Sequence, residues 1–165
     1  MEVLRTPDER FRDLVDFPFS PHYINIDDED GGNLRMHYID EGASDGEPLL
    51  CMHGQPNWSY SFRKMIMPLA EAGFRVIVPD IVGFGRSDKP TKRSDYTFAR
   101  HVAWLRSFIE GLDLKNINLI AQENKEIKII NADNTFANTN KHPEYWRLIG
   151  NVSFTVSYTH LTLPT

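Results

Sequence analysis

Three short apolar runs, at residues 48–52, 74–78 and 116–121, are separated by two stretches with helical period. The run 48–52 is continuous, and the other two are apolar but for Arg75, Asn116 and Asn118; short apolar segments of this kind suit strands buried on both faces. Between the first two runs, Phe62, Met65, Ile66 and Leu69 recur at helical spacing over residues 59–72, and Gly73 ends the pattern. Between the second pair, Phe98, Val102, Leu105, Phe108, Ile109 and Leu112 line one face of a helix predicted over 95–112, with Ser94 as its N-cap. Strand–helix–strand–helix–strand predicts an α/β architecture in which the three strands are parallel. Residues 22–27 and 34–41 instead alternate apolar and polar residues around the turn chemistry of 28–33, which predicts an antiparallel hairpin ahead of the parallel part. Residues 1–21 carry Pro7, Pro18 and Pro21 with Phe11, Phe17 and Phe19 between charged residues, and read as an extended arm packed on the body.

An open α/β sheet places its chemistry beyond the carboxyl ends of its strands. Two segments sit there: Cys51-Met52-His53-Gly54-Gln55-Pro56-Asn57-Trp58-Ser59-Tyr60, and Pro79-Asp80-Ile81-Val82-Gly83-Phe84-Gly85-Arg86-Ser87-Asp88-Lys89-Pro90. In the first, Gly54 lets the chain turn sharply after a strand and Pro56 fixes the backbone beyond it. The N–H of Gln55 is then expected to point into a site, where a backbone donor aimed in advance can stabilise a developing oxyanion. In the second segment Gly83 and Gly85 permit a tight turn, and Asp80 and Asp88 read as turn residues in structural support. Its G-x-G spacing is no dinucleotide fingerprint, because the third glycine is absent. His37 on a strand, His101 on the polar flank of a helix and His142 before Pro143 have ordinary structural explanations. No pair of His, Cys or carboxylates has metal-ligand spacing, so no metal site is expected.

The chain has 165 residues and a net charge of −5, which gives no basic field for nucleic acid or an anionic membrane. Its single cysteine, Cys51, excludes an internal disulfide. The first ten residues are charged and lack an apolar signal core, and no apolar stretch is long enough to span a bilayer. A cytoplasmic location is the resulting expectation.

The His53-Gly54-Gln55-Pro56 loop with Trp58-Ser59-Tyr60 and Arg63-Lys64-Met65-Ile66, and the Gly83-Phe84-Gly85-Arg86-Ser87-Asp88 turn, resemble the α/β-hydrolase fold and, within it, the haloalkane dehalogenases. The resemblance covers residues 1–121 and continues loosely to about 150. It implies a carboxylate nucleophile that displaces halide from a small halogenated alkane, with an alkyl-enzyme ester as intermediate and neither metal nor organic cofactor. It implies that Gln55 supplies one oxyanion N–H from a loop whose X–Pro bond is cis, with His53, Gly54, Pro56 and Trp58 forming the pocket side of that loop. Dehalogenases carry Asn or Glu at this position. The Gln55 side chain has an amide's two donors on a longer stem, so it keeps the chemistry for a halide contact at a different reach. An epoxide hydrolase of the same fold is the second reading, and a non-catalytic truncated fragment the third.

After Ala121 the pattern breaks. The resemblance implies a Gln-Asp-Trp-Gly-Gly turn here, with Asp as nucleophile. The chain instead reads Gln122-Glu123-Asn124-Lys125-Glu126. Lys and Glu do not suit a strained turn that needs small residues. Either the turn is substituted, with Glu123 standing in for the nucleophile, or the turn and its helix are deleted between Gln122 and Glu123. The strand pattern at 126–132 follows too soon for a parallel crossover, which needs a dozen or more residues. It must be a hairpin partner, a loop or the far side of the deletion. The fold class expected is thus an incomplete α/β-hydrolase fold: a mostly parallel twisted sheet with an antiparallel N-terminal hairpin and flanking helices. Its parts are the arm at 1–21, a partial core at 22–150, and a non-native or disordered tail at 151–165.

Overall fold

The computed structural model describes residues 1–28, 30–123 and 126–131; the tail at 151–165, His142 and the remainder of the segment to residue 150 lie outside the described residues. In chain order the elements are β1 (Val3–Leu4), β2 (His22–Asp28), β3 (Gly32–Glu41), β4 (Glu47–Met52), α1 (Arg63–Glu71), β5 (Phe74–Pro79), β6 (Lys89–Pro90), α2 (Phe98–Gly111), β7 (Asn118–Glu123) and β8 (Glu126–Asn131). Six of the strands form one sheet in the order β2-β3-β5-β4-β7-β8, and β1 pairs separately with β6.

The centre of the sheet is parallel. β4 pairs with β5 from Glu47↔Phe74 to Leu50↔Ile77, and with β7 from Leu49↔Asn118 to Met52↔Ala121. β3 joins β5 antiparallel and β2 joins β3 antiparallel, which gives the expected hairpin. On the other side β8 returns antiparallel along β7, from Glu123↔Glu126 to Asn118↔Asn131. Of the alternatives left open for 126–131, the structure adopts the hairpin, as so short a connection requires.

Both faces of the parallel centre are covered, and the period-2 alternation of each strand divides its residues between them. Leu50, Met52, Ile77, Leu119 and Ala121 face α2 with Trp104, Leu105, Phe108 and Ile109. Leu49, Cys51, Val76, Val78 and Ile120 face the other way, against Phe62 and Ile66 around α1 and Phe19 of the arm. This explains why the runs are mostly apolar, with Arg75, Asn116 and Asn118 near their starts as the exceptions. Cys51 lies fully buried in the second layer, and burial pushes its thiol pKa up to about 12.

Several boundaries differ from expectation for local reasons. Residues Ser59–Phe62 form a 3₁₀ turn before α1 proper begins. The α2 helix starts at Phe98, not 95, because Thr97 is the N-cap and its side chain accepts the Arg100 N–H; Ser94 lies in a separate 3₁₀ turn. The buried face of α2 is rotated accordingly. His101 and Trp104 are buried while Phe98 is exposed, so His101 sits in the core and not on a polar flank. β7 begins at Asn118, since Asn116 takes a left-handed conformation (φ 53°) that ends the preceding connection.

The arm is pinned at two places. β1 pairs with β6, and the Arg5 guanidinium forms a two-pronged bond to Asp88, at 2.6 and 3.1 Å. Further along, Phe11 and Phe17 pack on Trp58 at ring-centre distances of 5.3 Å, with Trp58 stacked on Tyr60.

Candidate active-site loop

The loop 53–58 leaves the carboxyl end of β4, and its neighbour β7 ends on the same edge, since Met52 is paired with Ala121. Gln55 is half-buried and Pro56 exposed, and the Gln55–Pro56 peptide bond is cis. Trp58 turns toward the aromatic cluster of the arm. Glu123 is the last residue of β7, so the structure brings its backbone to the edge where the 53–58 loop emerges. It places that residue in a strand leading into a hairpin, whereas the resemblance implies a strand-to-helix turn.

The loop is held from its two ends by buried titratable groups. At its start His53 is fully buried, with the Phe84 ring against its edge at 5.7 Å. Its Nε2 accepts the Ile81 N–H at 3.0 Å, and its Nδ1 lies 3.1 Å from the Gly54 carbonyl oxygen. Burial lowers its pKa, against the opposing charge of Asp80 and the bond to Gly54, so the ring is neutral at neutral pH.

At the far end stands Asp80, also fully buried. One carboxylate oxygen accepts the Ser59 N–H and the other accepts the Arg86 N–H, both at 2.8 Å. His37 Nδ1 lies 2.8 Å from the second oxygen. Burial alone would raise this carboxyl; the bond and charge of His37, the charge of His53 and the Arg86 N–H outweigh it and hold the group below its usual range. The same residue is locked through its backbone: its N–H donates to the His37 carbonyl at 2.9 Å, and its carbonyl accepts the Ser87 hydroxyl at 2.6 Å. Gly85 is required here, because a Cβ at its left-handed position (φ 48°) would collide with the Asp80 carboxylate.

Asp80 and Asp88 were expected to be turn residues. They are that, but as buried anions around which the turn is wound: Asp88 accepts the Arg35 N–H at 2.9 Å as well as Arg5. His37, which alternation alone would explain, also belongs to the Asp80 centre. The available sequence signal was an aspartate ending an apolar strand, in Val76-Ile77-Val78-Pro79-Asp80, where a solvated residue is not expected. Among the described residues, no group of three His, Cys, Asp or Glu side chains could hold a metal ion.

The α/β-hydrolase-fold family pattern matches residues 47–122, from the start of β4 to β7. A haloalkane dehalogenase of Psychrobacter cryohalolentis is 54% identical over 123 residues, which is 74% of this chain and 41% of that protein. Over its matched residues, the chain has the α/β-hydrolase fold and is similar to haloalkane dehalogenases. A solved tetrameric haloalkane dehalogenase from Paraglaciecola agarilytica is similar at 52% identity and a TM-score of 0.70, over 74% of this chain and 41% of that one. An epoxide hydrolase from Vigna radiata is more distant, at 27% identity and a TM-score of 0.54 over 62% of this chain and 32% of that one. The chain spans about two fifths of the length of the curated relatives it matches.

Proposed function

We propose that the chain derives from a hydrolase that cleaves carbon–halogen bonds in small halogenated alkanes, and that this polypeptide does not itself turn over. In the parent reaction a carboxylate oxygen attacks the carbon bearing the halogen. A carbon–oxygen bond forms, the carbon–halogen bond breaks, and halide leaves with the electron pair. Water then attacks the resulting ester and releases alcohol, a proton and the free carboxylate. Gln55 takes the role of oxyanion donor through its backbone N–H, with its side-chain amide a contact for halide. His53, Gly54, Pro56 and Trp58 shape the loop that presents it. Neither metal nor organic cofactor enters this reaction.

The observation that carries the reading is the His53-Gly54-Gln55-Pro56 loop at the carboxyl edge beside β7, within a sequence 54% identical to a haloalkane dehalogenase. The higher identity to dehalogenases than to the epoxide hydrolase favours halide over epoxide chemistry. Inactivity is supported by the antiparallel β7–β8 hairpin, which stands where a nucleophile turn and its helix belong. Under this reading residues 1–21 are an arm that braces the loop, residues 22–150 a partial core, and 151–165 a tail outside it.

The test is halide release from short bromoalkanes by the purified chain, beside a version with the turn and carboxyl-terminal half restored. The restored protein should release halide and the unrestored chain should not. Release by the unrestored chain that disappears in Glu123→Gln would make Glu123 a working nucleophile and overturn the inactivity proposal. Epoxide opening without halide release by the restored protein would shift the parent activity to the epoxide hydrolases.

A further inference from the structure

The direction of the Gln55 N–H is set one residue earlier. The Gly54 carbonyl and the Gln55 N–H belong to one planar trans peptide unit, so they point in opposite directions. Whatever fixes the carbonyl therefore aims the N–H. Two groups converge on the Gly54 oxygen: the Asn57 N–H at 2.9 Å and His53 Nδ1 at 3.1 Å.

The other side of the His53 ring decides what Nδ1 can do. Nε2 lies 3.0 Å from the Ile81 nitrogen, and a backbone N–H can only donate. Nε2 must therefore be the bare nitrogen, and the ring's single proton sits on Nδ1, facing an oxygen that can only accept. We propose that His53 is a positioning residue for the oxyanion donor: the Ile81 N–H selects the ring tautomer, and the Nδ1–H then holds the Gly54–Gln55 peptide with its N–H turned into the site.

This assignment rests on the reading of Gln55 as the oxyanion donor, and it makes the loop after β5 a working part of the loop after β4. The coupling crosses between two neighbouring parallel strands, since β4 and β5 are paired and each ends at the same edge. Protonating Nε2 would set two donors against each other and release the clamp. Complete burial of the ring opposes that event, and the charged group facing it is Asp80 at the end of β5. Asp80 also holds the loop's exit through the Ser59 N–H, so the peptide is fixed between two anchors.

Imidazole ¹⁵N NMR on the intact chain tests the tautomer. The expected result is a His53 ring with Nδ1 protonated and Nε2 bare, unchanged between pH 8 and 6. A ring protonated at Nε2, or doubly protonated near neutral pH, would overturn the assignment. The second measurement is backbone amide NMR of His53→Leu and His53→Gln. In His53→Leu the Gln55 amide shift should move and the Asn57 amide should exchange at least ~10-fold faster, with amides of β4 unchanged. His53→Gln keeps an acceptor and a donor on one side chain and should restore part of both signals. Gln55 and Asn57 signals left in place by His53→Leu, with only a lower overall stability, would reduce His53 to a packing residue. If His53→Leu does not fold, the tautomer in the unaltered chain still decides. These readouts do not depend on halide release, so a restored protein without dehalogenase activity would sink the functional reading and leave the tautomer assignment standing.

Discussion

The carboxyl ends of β4 and β7 lie side by side, yet the chain leaves them in opposite ways. Beyond β4 it enters a loop whose polar groups are met from elsewhere: Ile81 and Asp80 after β5, and through Asp80 the His37 side chain of β3. Beyond β7 it turns straight back, and residues 126–131 satisfy the β7 backbone as an antiparallel partner. A loop kept open at a sheet edge needs partners brought by distant strands, because local bonds such as Asn57 N–H to the Gly54 carbonyl meet only part of its polar groups. A hairpin needs only two residues between its strands. The second solution is what a strand adopts when no turn and helix separate it from the next apolar segment.

The largest expected effect comes from altering that second exit. Insertion of a glycine-bearing turn and a helix-length segment between Gln122 and Glu123 should abolish the hairpin register. Cross-strand amide contacts between Gln122 and Ile127 should vanish from nuclear Overhauser spectra; their survival would show that β7 and β8 pair regardless of connection length. The first exit can be broken by Asp80→Ala. This leaves the Ser59 and Arg86 N–H groups and His37 without their buried acceptor, and should cost about 3–5 kcal/mol in urea unfolding. A cost below about 1 kcal/mol would mean that solvent enters and replaces the carboxylate.

A gentler test is acid. His53 and His101 both have pKa values lowered, first by burial. The unfolded chain then binds protons that the folded chain refuses. Their contribution is fully present above about pH 6.5, the ordinary histidine value, and is lost as pH falls through the lower folded values. The urea midpoint should therefore drop between pH 7 and pH 5, and His101→Gln should flatten the slope. At lower pH the depressed Asp80 and Asp88 carboxyls add a second loss below about pH 4. The smallest effect, and the control, is Thr97→Ala. Removing the α2 cap should cost about 1 kcal/mol and leave the Gln55 amide signal unmoved.

The parallel centre was legible because its strands are covered on both faces and read as apolar runs, while the flanking helices carry their own period. Legibility failed where a side chain's role depends on strands distant in sequence. Asp80 looks like any aspartate after a strand until β3 is laid antiparallel against β5, which brings His37 beside it. His101 looks polar until the Thr97 cap sets the phase of α2 and turns the ring inward beside Trp104. The loop itself was readable from His53-Gly54-Gln55-Pro56; the clamp on its peptide was not, since it rests on an N–H at Ile81, a residue whose side chain says nothing about it.

Cys51 lies two residues before His53 in the layer against α1. A thiol held near a pKa of about 12 has almost no thiolate at neutral pH, and the thiolate is the form that alkylating agents capture. Haloalkanes and haloacetamides therefore meet this sulfur only when the sheet opens. The chain's lone thiol is in effect a chemical clock for that opening: the rate at which iodoacetamide labels Cys51 counts how often β4 is laid bare.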